Sequence, residues 1–186
     1  MSLFLFVMTL TAEALTTIAV VVSIVWPQHR IWPPSGPRAW GGYAMLILFN
    51  LSAVGVVLVG ILDWGSLSIP AWVRLAVGAP LWLAGDLLAL WAIWALGTAP
   101  TYGGEGALVR RGPYAFSRNP QYLGFIVGLI GWGVMADSLF ALIVCIVGVV
   151  PLVLVPFAEE PWLLAQHGAA YEEYRRAVPR FISWAR

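Results

Sequence analysis

Long apolar segments alternate with short polar ones along the chain. Crossing a hydrocarbon core of about 30 Å takes roughly 20 helical residues, and several of the apolar segments are of that length. We predict membrane spans at Leu3 to Trp26, Gly41 to Leu62, Val73 to Gly97, Gln121 to Met135 and Leu139 to Phe157. The fourth span is short, and only three residues separate it from the fifth. These two spans are therefore expected to form a tight antiparallel hairpin with Asp137 at its turn.

Beyond the fifth span, apolar and charged residues lie on opposite faces of a helical pattern. The segment opens at Glu159-Glu160-Pro161 and is ended by Pro179. The apolar face would carry Leu163, Leu164, His167, Ala170, Tyr171, Tyr174 and Val178, and the charged face Glu172, Glu173, Arg175 and Arg176. This pattern predicts an amphipathic helix that lies at the membrane surface.

Composition places the chain among integral membrane proteins. Of its 186 residues, 61% are hydrophobic and 10% are charged, whereas soluble domains average about 25% charged residues. The apolar runs are too long and too uniform for the strands of a membrane barrel. We predict an all-α integral membrane protein of about five transmembrane helices, built as one domain over residues 1–186. Residues 1–97 would hold three spans, and residues 98–186 a polar loop, the hairpin and the amphipathic helix.

The distribution of charge predicts the orientation. All ten cationic residues are arginines, and only Arg74 falls outside the first loop, the third loop and the C-terminal segment. By the positive-inside rule, those three regions face the cytoplasm and the N-terminus lies outside, in a multi-pass protein of the cell membrane. The net charge of +1 gives no indication of nucleic-acid binding. With Cys145 as the single cysteine, neither a disulfide nor a metal cluster is expected.

The polar island between the third and fourth spans is the first candidate for chemistry. Asn119 is a favoured helix N-cap and Pro120 a favoured first helical residue, so the segment has a purely structural explanation, with Arg118 reaching the interface. The functional alternative is that the start of the fourth span, with its free N–H groups, receives an anionic group with help from Arg118. Tyr122 would face the same space.

Two adjacent acids at the end of the fifth span are the second candidate. Glu159 and Glu160 are either the solvated start of a helix or paired carboxylates, because a carboxylate at the membrane edge is costly unless it is paired. In the paired interpretation one acid meets an ammonium group and the other meets Arg118 or a hydroxyl. A ligand that carries both an amino and a carboxylate group would explain both ends of such a site.

Other ionisable residues leave alternatives open. Glu13 and Asp63 are interpreted as structural, whereas Asp86, inside the third span, would either pair with an arginine from a loop or line a substrate cavity. His167 is a packing residue or a base. The sequence has no Gly-x-Gly-x-x-Gly turn after a strand, no Walker loop and no His-Glu-x-x-His, so soluble nucleotide-binding folds and zinc hydrolysis lack support.

Taken together, these residues form a recognisable set over the C-terminal half. The set comprises Leu108-Val109, Gly112-x-Tyr114, Arg118-Asn119-Pro120-x-Tyr122-x-Gly124, Glu159-Glu160, Gly168-x-x-Tyr171-x-x-Tyr174 and Val178-Pro179-Arg180-Phe181-Ile182. In order and spacing it resembles the isoprenylcysteine carboxyl methyltransferase and phospholipid methyltransferase superfamily. The N-terminal half is similar only in having membrane spans.

The resemblance implies a membrane methyltransferase that uses S-adenosylmethionine. Its cofactor pocket would face the cytoplasm, with a small or lipophilic methyl acceptor bearing a carboxylate, thiol or amine. The residues carried over to the pocket are Tyr114, Arg118, Asn119, Tyr122, Leu123, Glu159 and Glu160, with His167 nearby. A carboxylate acceptor needs no base, whereas an amine or thiol must first lose a proton. No catalytic residue is assigned, and the candidates are Arg118, Glu159 and His167.

The chain departs from the superfamily pattern at three positions. The family usually has His where this chain has Asn119 and Phe where it has His167, and the eukaryotic carboxyl methyltransferases have His near Gly106. The cofactor therefore carries over more directly than the acceptor. Two alternatives remain, a sterol-reductase-like NADPH-dependent enzyme and a non-catalytic membrane scaffold. Neither the methyl acceptor nor the oligomeric state follows from the sequence.

Overall fold

The computed structural model describes residues 1–34, 39–101, 103–104 and 106–182, with the side chains of residues 98 and 99 outside the description. Its main helices are α1 (Ser2–Val25), α2 (Trp40–Leu62), α3 (Ala71–Leu96), α4 (Pro120–Met135), α5 (Leu139–His167) and α6 (Ala169–Ala177). Short helical turns lie at Pro27–His29, Thr98–Thr101 and Gly112–Ala115. The predicted all-α class is confirmed.

Within the described residues, four helices are long and apolar enough to cross a membrane, namely α1, α2, α3 and α5. Helix α4 is apolar but has 16 residues, which corresponds to about 24 Å at the usual helical rise. That length is short of a hydrocarbon core of about 30 Å. The prediction of about five spans is consistent with this set.

The predicted hairpin between α4 and α5 is present, with Asp137 at its turn. Asp137 has a φ of 53°, and its carboxylate accepts hydrogen bonds from the Ile69 N–H at 2.6 Å and the Arg74 guanidinium at 3.4 Å. Ser138 caps α5 by accepting from the Ala141 N–H, and donates to Asp63 at 2.6 Å. The polar groups of this turn are thus satisfied by the preceding loop.

Asp63 belongs to this hairpin network, as its structural interpretation required. Partial burial raises its pKa, but hydrogen bonds from Ser138, Ser66 and the Phe140 N–H outweigh that effect, and the pKa lies below its usual value. Asp63 therefore ties the end of α2 to the turn before α5.

The predicted amphipathic helix needs a correction. Helix α5 does not end near Phe157 but runs on through Pro156 and Pro161 to His167, so Glu159 and Glu160 lie inside it. Prolines are tolerated inside membrane helices because neighbouring groups satisfy the freed carbonyls. The break comes instead at Gly168, whose φ of 53° and ψ of −130° suit a residue without Cβ. The amphipathic helix α6 therefore has only nine residues.

Glycines bring α3 and α4 into close backbone contact. A Cβ placed on Gly85 would lie 2.2 Å from the Gly128 nitrogen, and one on Gly131 would lie 2.1 Å from the Trp82 nitrogen. This is the close packing that small residues allow in lipid. At Gly133 an added Cβ would find ordinary contact distances, from 3.4 Å.

The bundle is much looser between α2 and α3. Helix α2 packs on α1 and α5, and α3 packs on α4, whereas almost no contacts join α2 to α3 among the described residues. The gap between these two helices is the main space in the membrane part of the structure.

Candidate functional site

The candidate site lies at one end of the bundle, which we call the arginine-rich end: residues 27–34, residues 106–119, the end of α5, α6 and residues 178–182. Asn119 occupies the N-cap position of α4 and Pro120 its first turn, as predicted. The Asn119 side chain makes no capping bond, however, and its Nδ2 donates to the Arg180 carbonyl at 3.1 Å. The start of α4 is thereby fixed to the segment that follows α6.

Glu160 is the centre of a buried ion-pair network. Its side chain is only 7% exposed, and it accepts from Arg118 at 2.9 Å and from Arg180 at 2.8 and 2.7 Å. The hydrogen bond to Glu160 raises the pKa of Arg180 above its usual value. The Arg180 guanidinium also lies 3.8 Å from the centre of the Phe157 ring. Both oxygens of Glu160 are therefore used by this chain itself.

Glu159 has a different environment from its neighbour. The Trp32 indole N–H and the Tyr122 hydroxyl both donate to its Oε1, each at 2.6 Å. No described residue donates to its Oε2, and Glu159 lines a cleft. One of the two acids was expected to meet Arg118 or a hydroxyl; in the structure Glu160 meets Arg118 and Glu159 meets the Tyr122 hydroxyl.

Trp32 reaches Glu159 from the loop between α1 and α2. Its backbone N–H and that of Ile31 both donate to the Ser23 hydroxyl at 3.0 Å, and the side chain is 4% exposed. Trp32 was not singled out as a site residue from the sequence. A long-range contact across 127 residues leaves no local pattern from which it could be predicted.

Arg118 is held in place by three contacts. Its backbone N–H donates to the Pro179 carbonyl at 2.9 Å. The two terminal nitrogens of its guanidinium group donate to the Arg175 carbonyl and to Glu160, also at 2.9 Å. Its Nε is buried and has no partner among the described residues. Arg118 thus offers one fixed, unused N–H.

Helix α6 covers this end through its tyrosines. The Tyr174 hydroxyl donates to the Tyr114 carbonyl at 2.7 Å, and burial raises the pKa of Tyr174 to about 12. Burial likewise raises the pKa values of Tyr114 and Tyr171 above the usual range. At the rim, Arg110 pairs with Glu173 at 3.0 Å and donates to the Ala170 carbonyl. The amphipathic helix is therefore attached to the loop that precedes α4.

A cleft at this end brings most of the predicted residues together. It is lined by Tyr114, Arg118, Asn119, Tyr122, Glu159 and His167, with Leu108, Val109, Trp162 and Gln166 among its other walls. Two residues predicted for the pocket, Leu123 and Glu160, do not line it. Glu160 instead holds Arg118. Arg180, which sequence reasoning did not single out as a site residue, is the second cation on Glu160.

The cleft joins a much larger cavity in the membrane part. The cleft itself has about 90 Å³ of free space, and the second cavity has about 1060 Å³. Both are lined by Gln121, Tyr122, Trp162 and Gln166. The large cavity fills the gap between α2 and α3, and its walls include Glu13 and Asp86. Asp86 lines this cavity, which supports the second of its two interpretations. No described arginine pairs with Asp86.

The comparisons with known proteins concern mainly this half of the chain. The family model for phospholipid methyltransferase matches residues 73–170. Steroid 5-alpha-reductase DET2 of Solanum lycopersicum is 31% identical over 111 residues, 60% of this chain and 43% of the relative. Phosphatidylethanolamine N-methyltransferase B of Dictyostelium discoideum is 32% identical over 94 residues, 47% of this chain and 47% of the relative.

The match therefore spans less than half the length of either relative. No solved structure matches. The matched segment, residues 73–170, contains nearly all of α3, the whole of α4 and α5, and most residues that line the cleft. Since it covers slightly more than half of the chain, the protein belongs to the phospholipid methyltransferase family.

Proposed function

We propose that this protein transfers the methyl group of S-adenosylmethionine to a lipophilic acceptor. One observation carries the proposal: a cleft lined by Arg118, which has an unused N–H, and by Glu159, which has an unused carboxylate oxygen, shares walls with a larger, mostly apolar cavity between membrane helices. The family supports the reaction class. The arginine distribution further supports a cytoplasmic position for the arginine-rich end and an external N-terminus.

The donor set of the cleft fits the amino acid part of this cofactor. Arg118 Nε would meet the carboxylate, and Glu159 would meet the ammonium group. Tyr114, Asn119 and His167 line the same cleft. Small-molecule sites usually enclose about 300–1,000 Å³, which is more than the 90 Å³ of the cleft. The ligand would therefore also occupy part of the connected cavity or displace residues 106–111.

The chain's main contribution would be alignment. When bound, the sulfonium group supplies an electrophilic methyl group. Tyr122 lines both cavities and so stands where cofactor and acceptor meet. Glu160 holds Arg118, and the apolar walls exclude water, which favours an in-line displacement. An amine or thiol acceptor must lose a proton, and Glu159 and His167 are the side chains of the cleft that would accept it.

A second candidate is reduction by NADPH, favoured by the similarity to a steroid 5-alpha-reductase. Its phosphate groups require cations that are free to bind them. In the cleft region Arg110 is engaged by Glu173, and Arg118, which is held by Glu160, keeps only its Nε N–H unused. A single unused N–H suits the one carboxylate of the adenosyl cofactor better than the several phosphate groups of NADPH.

The test is thermal unfolding of the purified protein with S-adenosylhomocysteine, S-adenosylmethionine or NADPH. A ligand that binds only the folded state at 100 times its Kd stabilises it by about 2.7 kcal/mol. We expect both adenosyl compounds to raise the Tm of the wild type. Glu159→Gln keeps an oxygen for Trp32 and Tyr122 but removes the charge, so it should lose most of this shift. Glu172→Gln, on the exposed face of α6, is the matched control and should keep it.

Activity provides a second readout. Transfer of labelled methyl from S-adenosylmethionine into a lipid extract should occur with the wild type and with Glu172→Gln, and not with Glu159→Gln. A Tm shift with NADPH alone would replace the proposal with the reductase. If none of the three compounds shifts the Tm, the non-catalytic membrane scaffold is the remaining interpretation.

A further inference from the structure

Unpartnered polar atoms are concentrated on the two cavities. Within the described part of the chain, three buried side-chain nitrogen or oxygen atoms lack a hydrogen-bond partner: Arg118 Nε, Glu13 Oε2 and Ser52 Oγ. Arg118 lines the cleft, and Glu13 and Ser52 line the large cavity. Burying a polar atom without a partner is costly, and it is costlier still within a membrane. These atoms therefore point to a ligand that would satisfy them.

Glu13 is held rigidly against the wall of the cavity. It lies in the middle of α1, its side chain is only 2% exposed, and a Cβ placed on Gly148 of α5 would lie 2.9 Å from its Oε1. Glycine at 148 thus provides the room that the carboxyl group occupies. No described cation pairs with Glu13.

Asp86 approaches the same cavity from α3. A Cβ placed on Gly128 of α4 would lie 2.9 Å from its Oδ1. Asp86 is ten residues from Leu96 and Glu13 is twelve from Val25, which correspond to about 15 and 18 Å along their helices. The two acids therefore lie at similar depth, well away from the arginine-rich end.

Among the residues that the structure describes, no counter-charge lies beside these acids. Arg30 is the one basic residue among the described residues that line the large cavity. Its Nε donates to the Pro33 carbonyl in the loop after α1, which places it near the opposite end of the cavity from Glu13. An acid within a membrane span usually has a partner or a function. No described residue is a cationic partner of Glu13 or Asp86, which leaves that place to a ligand.

We propose that Glu13 and Asp86 bind a hydrogen-bond-donating group, an amine or a hydroxyl, on a lipophilic ligand in the large cavity. Ser52 lines the same space and adds a third polar contact. If the ligand is the methyl acceptor, an identification that rests on the proposed function, it carries a second polar group away from the methylated end. Plain acyl chains would leave Glu13 Oε2 and Ser52 Oγ without a partner.

The experiment compares three probes with the same chain, dodecylamine, dodecanol and dodecane, by thermal unfolding of the full-length protein in nanodiscs. We expect the amine or the alcohol to raise the Tm more than dodecane does. Glu13→Met should abolish this difference. The same substitution should raise the Tm of the ligand-free protein, because it removes an unpartnered carboxyl group. A purely structural role would lower it.

Further variants keep the test decisive. Glu172→Gln removes an acid outside the cavity and should retain the difference between probes. If Glu13→Met does not fold, Asp86→Leu tests the same site from a second helix. Preference for dodecylamine identifies an amine partner, and preference for dodecanol a hydroxyl. Equal shifts with all three probes, or a preference that survives both substitutions, overturns the proposal.

The outcome is separable from that of the proposed function. Binding of S-adenosylhomocysteine should be unchanged in Glu13→Met, since the cleft does not contain Glu13. A protein that binds the adenosyl compound but does not discriminate among the probes would refute only this inference. A protein that discriminates among the probes but does not bind the adenosyl compound would refute only the proposed cofactor.

Discussion

Carboxylates at the arginine-rich end and in the membrane cavity have opposite surroundings. Glu160 receives three hydrogen bonds from two arginines, whereas Glu13, equally buried, has an oxygen with no partner among the described residues. Arginine pairs are worth making only where the geometry satisfies both charges. The difference teaches that the Glu160 carboxylate is fully used in holding the arginine-rich end together, whereas Glu13 keeps an oxygen that no described residue uses.

Helix packing shows the same contrast. Glycines bring α3 and α4 into backbone contact, while α2 and α3 leave a cavity of about 1060 Å³ between them. Tight packing next to the gap keeps Asp86 and Tyr122 at fixed positions on its wall. Rigid walls around an open space are what a ligand site requires.

The largest expected effect separates the two neighbouring acids. Glu160→Gln leaves Arg118 and Arg180 without their counter-charge, and breaking such a buried pair costs about 3–5 kcal/mol. Because the Arg180 side chain is 32% exposed, the lower end applies. Glu159→Gln keeps its acceptor oxygen and should change stability little. Thermal unfolding of both variants checks this, and equal losses would remove the distinction between the two acids.

The next effect compares the packed interface with the gap. Gly131→Ala would place a Cβ 2.1 Å from the Trp82 nitrogen, and forcing the backbones apart should cost about 1–3 kcal/mol. Gly133→Ala, on the same helix but with room for the methyl group, should be tolerated, and so should Ala53→Val in the cavity wall. Unfolding in mixed detergent would show whether Gly131 alone is sensitive.

A smaller effect is expected at the opposite end, where the hairpin also satisfies its own polar groups. Ser138→Ala removes the cap of α5 and the hydroxyl that donates to Asp63, and loss of an N-cap costs about 1 kcal/mol. Thr11→Ala, whose hydroxyl contacts only its own helix, serves as the control. A Tm unaffected by Ser138→Ala would show that the turn does not depend on this cap.

The smallest effect is the alkaline pH dependence of the arginine-rich end. Burial raises the pKa of Tyr174 to about 12, above the unfolded value of about 10. Its neutral form therefore contributes stability that is complete below pH 10 and is lost as the pH rises towards 12. Tyr114 and Tyr171 shift in the same direction. The Tm should fall between pH 10 and 11, less steeply in Tyr174→Phe, and an unchanged slope would contradict the assignment.

Much of the bundle was predictable because membrane spans follow from local hydropathy. The ends of the first two helices fall within a residue or two of the predicted spans, and the turn at Asp137 was correctly placed. The predicted end of the fifth helix was wrong, because the segment that opens at Glu159-Glu160-Pro161 was interpreted as a separate helix. The backbone breaks at Gly168, where no neighbouring atom lies near the position of a Cβ.

The site was predicted in part. The rule that a carboxylate at the membrane edge needs a partner predicted that one of the two acids would meet Arg118 or a hydroxyl, but not which acid would meet which partner. The site roles of Trp32 and Arg180 were not predicted. The partner of Trp32, Glu159, is remote in sequence, and Glu160, the partner of Arg180, lies in a segment that was interpreted as surface helix. The sequence also does not show whether Glu159 or Glu160 keeps a free oxygen for a ligand, because that depends on the directions in which the two side chains point.

The sequence by itself determined the class of the protein: its hydropathy requires membrane helices, and its polar motifs mark one end of the bundle. The tertiary structure alone decided that α2 and α3 separate, that Glu13 and Asp86 line the resulting cavity, and that this cavity reaches the cleft. The physical reason is that hydropathy acts residue by residue along a helix. A cavity, in contrast, exists only where packed helices fail to meet.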